Sequence, residues 1–412
     1  MRERAHTVVI GAGAAGLMTA IHATRAGGRD VLVLDGARTL GAKILIAGGG
    51  RCNVTHDVVD ETAFAGSSRN AIRKVLRRFD ADATVAFFRE LGVVLKREET
   101  GKLFPVTDSA RTVLNALLTG TRAHGAEIVF PRRVRSVEPA GGDGFVVAGD
   151  WGVVRASRVV LATGGRSLPK SGSDGFGYEL ARRLGHTVTP TVTPGLVPLL
   201  LPNGHFLREL MGIALVATIE LRSATGRRLI AFTDSTLLTH FGLSGPSVLD
   251  VSRYYLHAIT EDPGATLFLN FVPGTTPADL ERELIAPGVR SIVGVLRDRL
   301  PERLTRALCA QTGVDPSTRP AQLRREQRRA LVNLVCELKL PVTGSRGYTF
   351  AEVTAGGVPL SEIHLETMES RARGGLYLVG EICDVDGRIG GFNFQWAWSS
   401  GFVAGTALGR DG

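Results

Sequence analysis

Apolar runs and glycine turns alternate in the first 35 residues in the order of a known supersecondary unit. The β-branched run HTVVI (6–10) predicts a strand, and LMTAIHATRAGG (17–28) predicts a helix that stops at Gly27–Gly28. RDVLVL (29–34) predicts a second strand, which ends on Asp35. Because GAGAAG (11–16) separates the first strand from the helix, the segment predicts the first βαβ unit of a dinucleotide-binding domain.

The rest of the N-terminal part mixes helix and strand patterns. Residues 36–57 are rich in glycine, and we predict an irregular segment there. The patterns that follow predict helices at about 66–79 and 80–92, a hairpin at 93–106, strands near 126–130 and 133–138, and a β-meander up to 155. RVVLATGG (158–165) then predicts a buried strand that runs into glycines.

The pattern changes after a proline-rich stretch at 190–203. Antiparallel strands are predicted up to 273, and 277–338 is helical with a break at 287–288. From 349 the chain returns to strands and glycines, and it ends in a helix rich in small residues. We therefore expect one α/β domain made from 1–187 and 349–412, interrupted by an inserted domain at 188–348.

Composition adds one clue about the backbone and one about the surface. Glycine accounts for 51 of 412 residues, against a usual ~7%. The surplus glycines must serve backbone geometry, because no collagen-like period is present. The net charge is +9, and 43 of the 49 basic residues are Arg. We interpret this as a solvated basic surface and expect neither a nucleic-acid nor a membrane partner.

Cysteine usage and hydropathy favour the cytoplasm. The four cysteines are widely spaced without a C-x-x-C pair, which argues against a zinc site or a redox dithiol. The N-terminus lacks a signal-peptide pattern, and no apolar run approaches the ~18 residues of a membrane span. Neither a nucleophile elbow nor a metal-ligand cluster stands out, so catalytic residues are unassigned and no metal is expected. The sequence carries no signal for an oligomeric state.

The glycine turn has the spacing that a dinucleotide requires. Gly11 permits the tight turn, Gly13 lets backbone amides approach a pyrophosphate, and Gly16 allows the helix to pack close to the strand. The helix N-terminus then faces the phosphates with unpaired N–H groups. Asp35 is placed to accept hydrogen bonds from the adenosine ribose.

The delayed later strands resemble the FAD-binding superfamily that includes glutathione reductase. In that superfamily a late strand ending in Gly-Asp contacts the flavin ribitol, and here Gly380-Glu381 takes that place. Several blocks narrow the resemblance further: GAKILIAGGGRCNVTH (41–56), KLFPVTDSA (102–110), THFGLSGPSVL (239–249), VTAGGV (353–358) and VGEICDVDGRIGGFNFQWAWSSGFVAG (379–405). Over nearly the whole chain the sequence is similar to the NAD(P)/FAD-dependent oxidoreductases of the aminoacetone-oxidase-like type.

That resemblance implies a Rossmann-like FAD-binding domain with a β-meander, built from both termini. It implies an inserted domain with a small β-barrel part, about 188–273 and 339–348, and a helical part, about 277–338. Bound FAD is the expected cofactor, and NAD(P)H is a possible electron donor. The residues expected to bind FAD are Gly11, Ala12, Gly13, Ala14, Ala15, Gly16, Asp35, Gly36, Lys43, Gly50, Arg51, Cys52, Asn53, Val134, Ala162, Thr163, Gly164, Gly380, Glu381, Gly391, Phe392 and Asn393.

Some of these residues have specific expected roles. Val134, at the start of a predicted strand, pairs with adenine through its backbone. Amides of Gly391–Asn393 donate to the flavin O2/N1 region, where the helix dipole stabilises negative charge. Lys43 either meets the phosphates or ribose or is an exposed loop lysine. Cys52 is either a packed thiol beside the flavin or, less in keeping with its isolation, a redox thiol.

The function expected from these features is FAD-dependent oxidoreduction. A hydride passes between the flavin and a small organic substrate, either an amine or an enone such as a steroid-like acid, or NAD(P)H. An alternative is a flavoprotein that acts on RNA or serves as a redox-linked binding module, which the net charge of +9 motivates.

Overall fold

The computed structural model describes residues 2–141, 144–286 and 290–410, and the chain divides into two compact units. Unit 1 is Met1–Pro194 with Glu352–Gly412, and unit 2 is Gly195–Ala351. The chain therefore changes unit at 194/195 and 351/352, where we expected boundaries at 187/188 and 348/349. The helix break expected at 287–288 lies outside the described residues.

The elements of the first chain segment are β1 Arg4–Ile10, α1 Ala14–Arg25, β2 Val31–Leu34, α2 Ala42–Gly50, β3 Thr55–His56, β4 Phe64–Gly66, α3 Arg69–Leu76, α4 Ala81–Glu90, β5 Leu95–Arg97, β6 Lys102–Pro105, α5 Ala110–Ala123, β7 Glu127–Val129, β8 Ser136–Pro139, β9 Phe145–Gly149, β10 Gly152–Leu161, α6 Phe176–Arg183 and β11 Thr193–Gly195.

The elements of the middle segment are β12 Leu199–Leu200, α7 Phe206–Glu209, β13 Ala214–Arg222, β14 Arg228–Thr239, β15 Gly242–Ser244, α8 Pro246–Glu261, β16 Thr266–Asn270, α9 Pro277–Ile285, α10 Ile292–Leu296, α11 Glu302–Gln311, α12 Arg325–Cys336, β17 Leu338–Leu340 and β18 Gly344–Ser345. The last segment holds β19 Val353–Ala355, β20 Ile363–His364, β21 Glu369–Ser370, β22 Leu376–Leu378, β23 Val385–Gly387 and α13 Phe392–Arg410.

A nine-stranded sheet forms the centre of unit 1. Its main path runs β20-β21-β22-β10-β1-β2-β7, with β9 paired to β10 and β8 to β9. The pairs from β22 to β7 are parallel, whereas β8, β9 and the first half of β10 form an antiparallel meander. Parallel strands are covered on both faces, which explains why the four residues of β2 are all apolar and all buried. The predicted Rossmann-like α/β fold with a β-meander is confirmed.

Helices α1 and α13 of unit 1 pack backbone to backbone. A Cβ on Gly401 would lie 2.7 Å from the Ala15 carbonyl oxygen, and a Cβ on Gly405 would lie 2.5 Å from that of Thr19. The two glycines, four residues apart, therefore form a stripe that lets the helix axes approach.

Unit 2 combines an antiparallel sheet with helices around its own core. The strand pairs follow one path, β17-β16-β13-β14-β15-β12-β18. The core contains apolar residues of this sheet together with buried leucines of α9 to α12, such as Leu280, Leu304 and Leu331. No helix among the described residues has both the length and the apolar character needed to cross a membrane.

A buried histidine ties α6 to the segment around β20 and β21 in unit 1. His186 Nδ1 lies 2.7 Å from Glu362 Oε2, and His186 Nε2 lies 2.7 Å from Ser370 Oγ. The Thr187 backbone N–H also donates to Glu362 Oε2, at 3.0 Å. Burial raises the pKa of Glu362, but the hydrogen bonds from Thr187 and His186 outweigh it and hold that pKa below its usual range.

We expect Glu362→Gln to destabilise the protein at neutral pH more than Glu366→Gln, a change at a nearby exposed position. A carboxyl whose folded pKa is depressed stabilises the fold above its unfolded pKa, and this contribution is lost as the pH falls through the folded pKa. The difference in unfolding free energy between wild type and Glu362→Gln should therefore shrink below about pH 4. Urea unfolding at pH 7 and pH 3.5 measures it, and a difference that grows on acidification contradicts the assignment.

Candidate functional site

Three parallel strands of unit 1 end at the same edge of the sheet. In the register of β1, β10 and β22, Ile10 faces Leu161 and Leu161 faces Leu378. The next backbone amides continue these ladders, because Ala162 N donates to Ile10 O at 2.9 Å and Val379 N donates to Leu161 O at 3.1 Å. The predicted segments at 11–16, 162–164 and 380–381 are thereby brought together at the carboxyl edge, where open α/β sheets bind ligands.

The three glycines of the first turn have different surroundings. Gly11 has a φ of +110°, and a Cβ there would lie 2.3 Å from the Ala162 carbonyl oxygen. A Cβ on Gly16 would lie 1.9 Å from the Gly11 carbonyl oxygen. A Cβ on Gly13 would meet nothing within 4 Å. Two glycines are thus required by chain packing, while Gly13 leaves an open face at the N-terminus of α1, beside Ala14.

Asp35 connects the end of β2 to this turn. Its Oδ2 accepts from the Ala12 amide at 2.7 Å, and its Oδ1 accepts from the Ala37 amide at 2.7 Å. Burial raises the pKa of this carboxyl, against the effect of the amides and of Arg133. Each oxygen retains a lone pair, so the predicted ribose contact is compatible with these bonds.

A cleft of about 420 Å³ lies next to Asp35. Its lining residues are Gly36, Pro131, Arg132, Arg133, Asp150 and Trp151. Val134 follows this lining, but it is not part of a strand as predicted, because β8 begins at Ser136. The Val134 backbone N–H and C=O make no hydrogen bond with any described residue, which leaves them available for the predicted adenine contact.

The glycine-rich block at 41–53 differs from the predicted irregular segment. Residues Ala42–Gly50 are assigned as a helix, but Ala47 is extended and Gly48 and Gly49 have positive φ values of 56° and 69°. Gly50 continues this series with a φ of 85°. A Cβ on Gly48 would lie 2.9 Å from the Asn53 amide nitrogen, whereas one on Gly49 would meet nothing within 4 Å. The mostly apolar sequence AKILI (42–46) supplies one helical turn, and the glycines then reverse the chain.

The three residues after these glycines have three different environments. Arg51 donates to Glu98 at 2.6 Å and lies over the Phe104 ring at 3.9 Å from its centroid, so its charge is paired. Cys52 is fully buried, and burial raises the pKa of its thiol to about 12. This environment is that of a packed thiol rather than of a redox thiolate. Asn53 is 8% exposed, and its Oδ1 has no hydrogen-bond partner among the described residues.

The N-terminus of α13 completes the site on the side of β3 and β23. Gly391 has a φ of 95°, and a Cβ there would lie 2.7 Å from the Thr55 carbonyl carbon. The Phe392 ring stacks on the His56 ring with a centroid distance of 5.0 Å. The Asn393 side chain bonds both to the Gly387 amide, at 2.8 Å, and to its carbonyl, at 2.9 Å. Both polar atoms of the side chain are thus engaged with Gly387, and the predicted flavin contact falls to the backbone N–H of Asn393.

Two further predicted residues serve packing at the same edge. A Cβ on Gly177 would lie 1.9 Å from Thr163 Oγ1, so α6 packs directly on the Thr163 side chain. Gly164 has a φ of 71° and faces Ser173. Lys43 and Glu381 form an ion pair at 2.6 Å with side chains 25% and 19% exposed, so Lys43 is not an exposed loop lysine, and its contact with phosphates or ribose stays a prediction.

Ser167, Thr354 and Gln395 belong to the site but were not predicted individually. The Ser167 hydroxyl donates to Glu381 Oε1 at 2.8 Å, and the Thr354 backbone amide donates to the same oxygen at 2.9 Å. Gln395 is buried and accepts from Thr55 at 2.7 Å. All three lie in or beside sequence blocks singled out above. The blocks were visible from the sequence, but which polar side chain points inward was not.

These residues fit an FAD group on observations of the fold itself. A Cβ would meet nothing within 4 Å at Gly13 or at Gly49, so the backbone is open to a ligand at both positions. Asn53 Oδ1, just after the second of these glycine-rich segments, has no hydrogen-bond partner among the described residues. A backbone cradle without Cβ atoms, followed by a buried acceptor, suits a phosphate-linked ligand with a ring that carries N–H groups.

This arrangement defines the class of FAD-binding Rossmann-type oxidoreductases. The chain belongs to the family described as the HI0933-like protein Rossmann domain, which it matches over residues 5–407. It is 34% identical over 98% of both chains to the ribosomal RNA dihydrouridine synthase of Escherichia coli. It is 32% identical to the 3-dehydro-bile acid delta(4,6)-reductase of Clostridium scindens, over 97% of this chain and 98% of that protein.

A solved structure agrees with the fold. The chain superposes on the 3-ketosteroid delta1-dehydrogenase of Sterolibacterium denitrificans with a TM-score of 0.54 and 13% identity, and the match covers 100% of both chains. At this identity the similarity concerns the fold alone. The predicted FAD-dependent oxidoreductase class is confirmed, whereas the aminoacetone-oxidase-like subtype and the glutathione-reductase-type placement stay predictions.

We expect Gly13→Ala and Gly16→Ala to fail in different ways. The added methyl of Gly13→Ala points into open space, so the apoprotein should keep its melting temperature while FAD binding weakens at least tenfold. The methyl of Gly16→Ala collides with the Gly11 carbonyl, so stability and FAD content should both fall. Thermal unfolding and titration of apoprotein with FAD measure the two effects. Undiminished FAD affinity in Gly13→Ala contradicts the assigned pyrophosphate site.

We expect no fast thiol reaction in the native protein at pH 8. All four cysteines are buried, and burial raises the pKa of Cys309 and of Cys336 to about 11 and that of Cys52 to about 12. The thiolate is the reactive form, so a disulfide reagent should modify none of them within minutes and all four in denaturant. Rapid native modification of Cys52 contradicts its role as a packed thiol.

Proposed function

We propose that this chain is an FAD-dependent reductase that saturates a carbon–carbon double bond conjugated to a carbonyl group. NAD(P)H supplies the hydride and becomes NAD(P)⁺, and a proton from solvent completes the addition. The single observation that carries this proposal is the cofactor cradle of Gly13 and Gly49 at the carboxyl edge of the sheet, in a chain with full-length reductive relatives.

The names of the two relatives describe one kind of chemistry. A dihydrouridine synthase adds two hydrogens to uridine, and a delta(4,6)-reductase removes ring double bonds from a 3-oxo bile acid. Uridine and a 3-oxo-4,6-diene acid both contain a double bond conjugated to a carbonyl. The shared chemistry supports reduction of an activated alkene as the reaction of this chain, ahead of the oxidation of an amine such as aminoacetone.

The residues of the site have distinct roles in this proposal. The turn at Gly11–Gly16 and the N-terminus of α1 would hold the FAD pyrophosphate, Asp35 the ribose and Val134 the adenine. The N-terminus of α13 at Gly391 would place its positive dipole end where the flavin gains negative charge. Bound FAD supplies two-electron hydride chemistry. The chain contains no second G-x-G-x-x-G, so a nicotinamide would bind without a domain of its own.

The preferred substrate is an enone such as a steroid-like acid, and the test compares it with an amine. With NADPH or NADH under anaerobic conditions, a 3-oxo-4,6-diene steroid acid should accelerate nucleotide oxidation and gain hydrogen in pairs by mass spectrometry. Aminoacetone should leave the flavin oxidised. Flavin bleaching by aminoacetone, without any turnover of the enone or of RNA, would falsify the reductase proposal.

The RNA alternative rests on a specific surface observation as well as on the name of the Escherichia coli relative. In unit 2, Arg282, Arg306 and Arg328 have acidic partners within 3.5 Å. Arg324 and Arg325, at the start of α12, are exposed and make no ion pair with any described residue. Free guanidinium groups on one helix end are the kind of contact that phosphates accept.

We expect RNA binding, if RNA is the substrate, to depend on this helix end. Arg324→Glu with Arg325→Glu should weaken binding of a ribosomal RNA transcript at least tenfold and flatten its salt dependence, because phosphate contacts release counterions. The matched control is Arg282→Glu with Arg306→Glu, where both arginines are already paired. Filter binding from low to high salt measures this. An RNA affinity that changes neither with salt nor with either pair of substitutions rules out RNA and leaves the enone substrate.

A further inference from the structure

A partly buried ion pair links two parts of the site that are far apart in sequence. Lys43 Nζ donates to Glu381 Oε2 at 2.6 Å and to Ser167 Oγ at 2.7 Å. The side chains of Lys43 and Glu381 are 25% and 19% exposed. An ammonium group has three N–H donors, and no described residue accepts the third. The pair therefore holds Lys43 in one orientation and leaves one donor for a ligand.

Glu381 is held just as firmly from the other side. Its Oε1 accepts from Ser167 Oγ at 2.8 Å and from the Thr354 amide at 2.9 Å. The Thr354 hydroxyl in turn accepts from the amide of Ser167, at 3.0 Å. A Cβ on Gly165 would lie 2.8 Å from Glu381 Oε1, so the carboxylate packs against bare backbone. With three donors on the carboxylate, Glu381 is a rigid support for Lys43.

The residue before Glu381 contacts both site helices. A Cβ on Gly380 would lie 2.8 Å from the Ala15 Cβ, which is in the first turn of α1. The Gly380 carbonyl accepts from the indole N–H of Trp396, at 3.0 Å, and Trp396 is one turn from the start of α13. Because Glu381 directly follows Gly380, the carboxylate that holds Lys43 is next in the chain to a residue that contacts both helices.

We propose that Lys43 and Glu381 form a charge-tuning pair for the bound FAD, a role that rests on the proposed function. The third N–H of Lys43 faces an electron-rich atom of the flavin ring and stabilises the negative charge that the ring gains on reduction. A helix end provides only about half an elementary charge, whereas an ammonium provides a full one. Glu381 is a positioning residue that orients Lys43 and offsets part of its charge, so that the reduced ring remains able to give up its hydride.

The test is a double-mutant cycle on the midpoint potential of the bound FAD. Lys43→Met should lower the potential, because the cation is lost, and Glu381→Gln should raise it, because the offsetting anion is lost. The double variant should return close to wild type, since it removes a neutral pair. Lys43→Arg should retain most of the wild-type potential. Lys74→Met, at an exposed lysine of α3, is the matched control and should change nothing.

Two further measurements separate this role from others. Titration of apoprotein with FAD should show less than a tenfold loss of affinity for Lys43→Met. A large loss of affinity with an unchanged potential would place Lys43 on the phosphates and overturn the proposal, as would equal potentials across the cycle. Ser167→Ala, a milder change that removes one acceptor from Lys43, should lower the potential by a smaller shift. If the paired variants fold poorly, an unchanged potential in Ser167→Ala overturns the proposal instead.

The potential is independent of the substrate. A failure of enone or RNA reduction with intact potential shifts would refute the proposed reaction and leave the charge-tuning pair standing. Equal midpoint potentials across the variants, in a chain that does reduce an enone, would refute the charge-tuning pair and leave the proposed reaction standing.

Discussion

The close contact of bare backbone at the end of β1 is the constraint on which the rest of unit 1 depends. There Gly11 meets the Ala162 carbonyl, Gly16 meets Gly11, and Gly401 meets the Ala15 carbonyl, all at distances that leave no room for a Cβ. Strands β1 and β10 and helices α1 and α13 can converge only because these positions lack side chains. The same convergence brings the N-terminus of α1 to the carboxyl edge of the sheet, so the packing that stabilises the fold also creates the cofactor cradle.

Electrostatics at this edge follow from that packing. The backbone amides at the start of α1 are partly positive, and Asp35 holds one side of the turn through the Ala12 amide. Further along the edge, Lys43 brings a full positive charge, which Glu381 holds in place. Because Glu381 offsets that charge, the Lys43–Glu381 pair is neutral as a whole. Cys52 is kept neutral by burial and contributes packing only.

Much of the fold could be predicted from periodicity alone, and the exceptions have physical causes. The first strand was predicted at 6–10 and is Arg4–Ile10, and the helical insertion at 277–338 contains α9 to α12. Residues 42–46 were wrongly predicted as irregular, because a single apolar turn before a run of glycines gives too few residues for a helical period to show. Val134 was wrongly placed in a strand, because the ladder with β9 begins only at Ser136, two residues further along the chain.

Local sequence specifies the cofactor class of this protein. The spacing of Gly11, Gly13 and Gly16 and the acid at Asp35 are local properties, since a turn and its helix are encoded within a few residues. Tertiary structure decided which side chains share one environment. Lys43, Ser167, Thr354 and Glu381 come from four distant segments, and their hydrogen bonds depend on how β10, β19 and β22 bring those segments together. Such contacts have no period along the chain, so only the folded molecule reveals them.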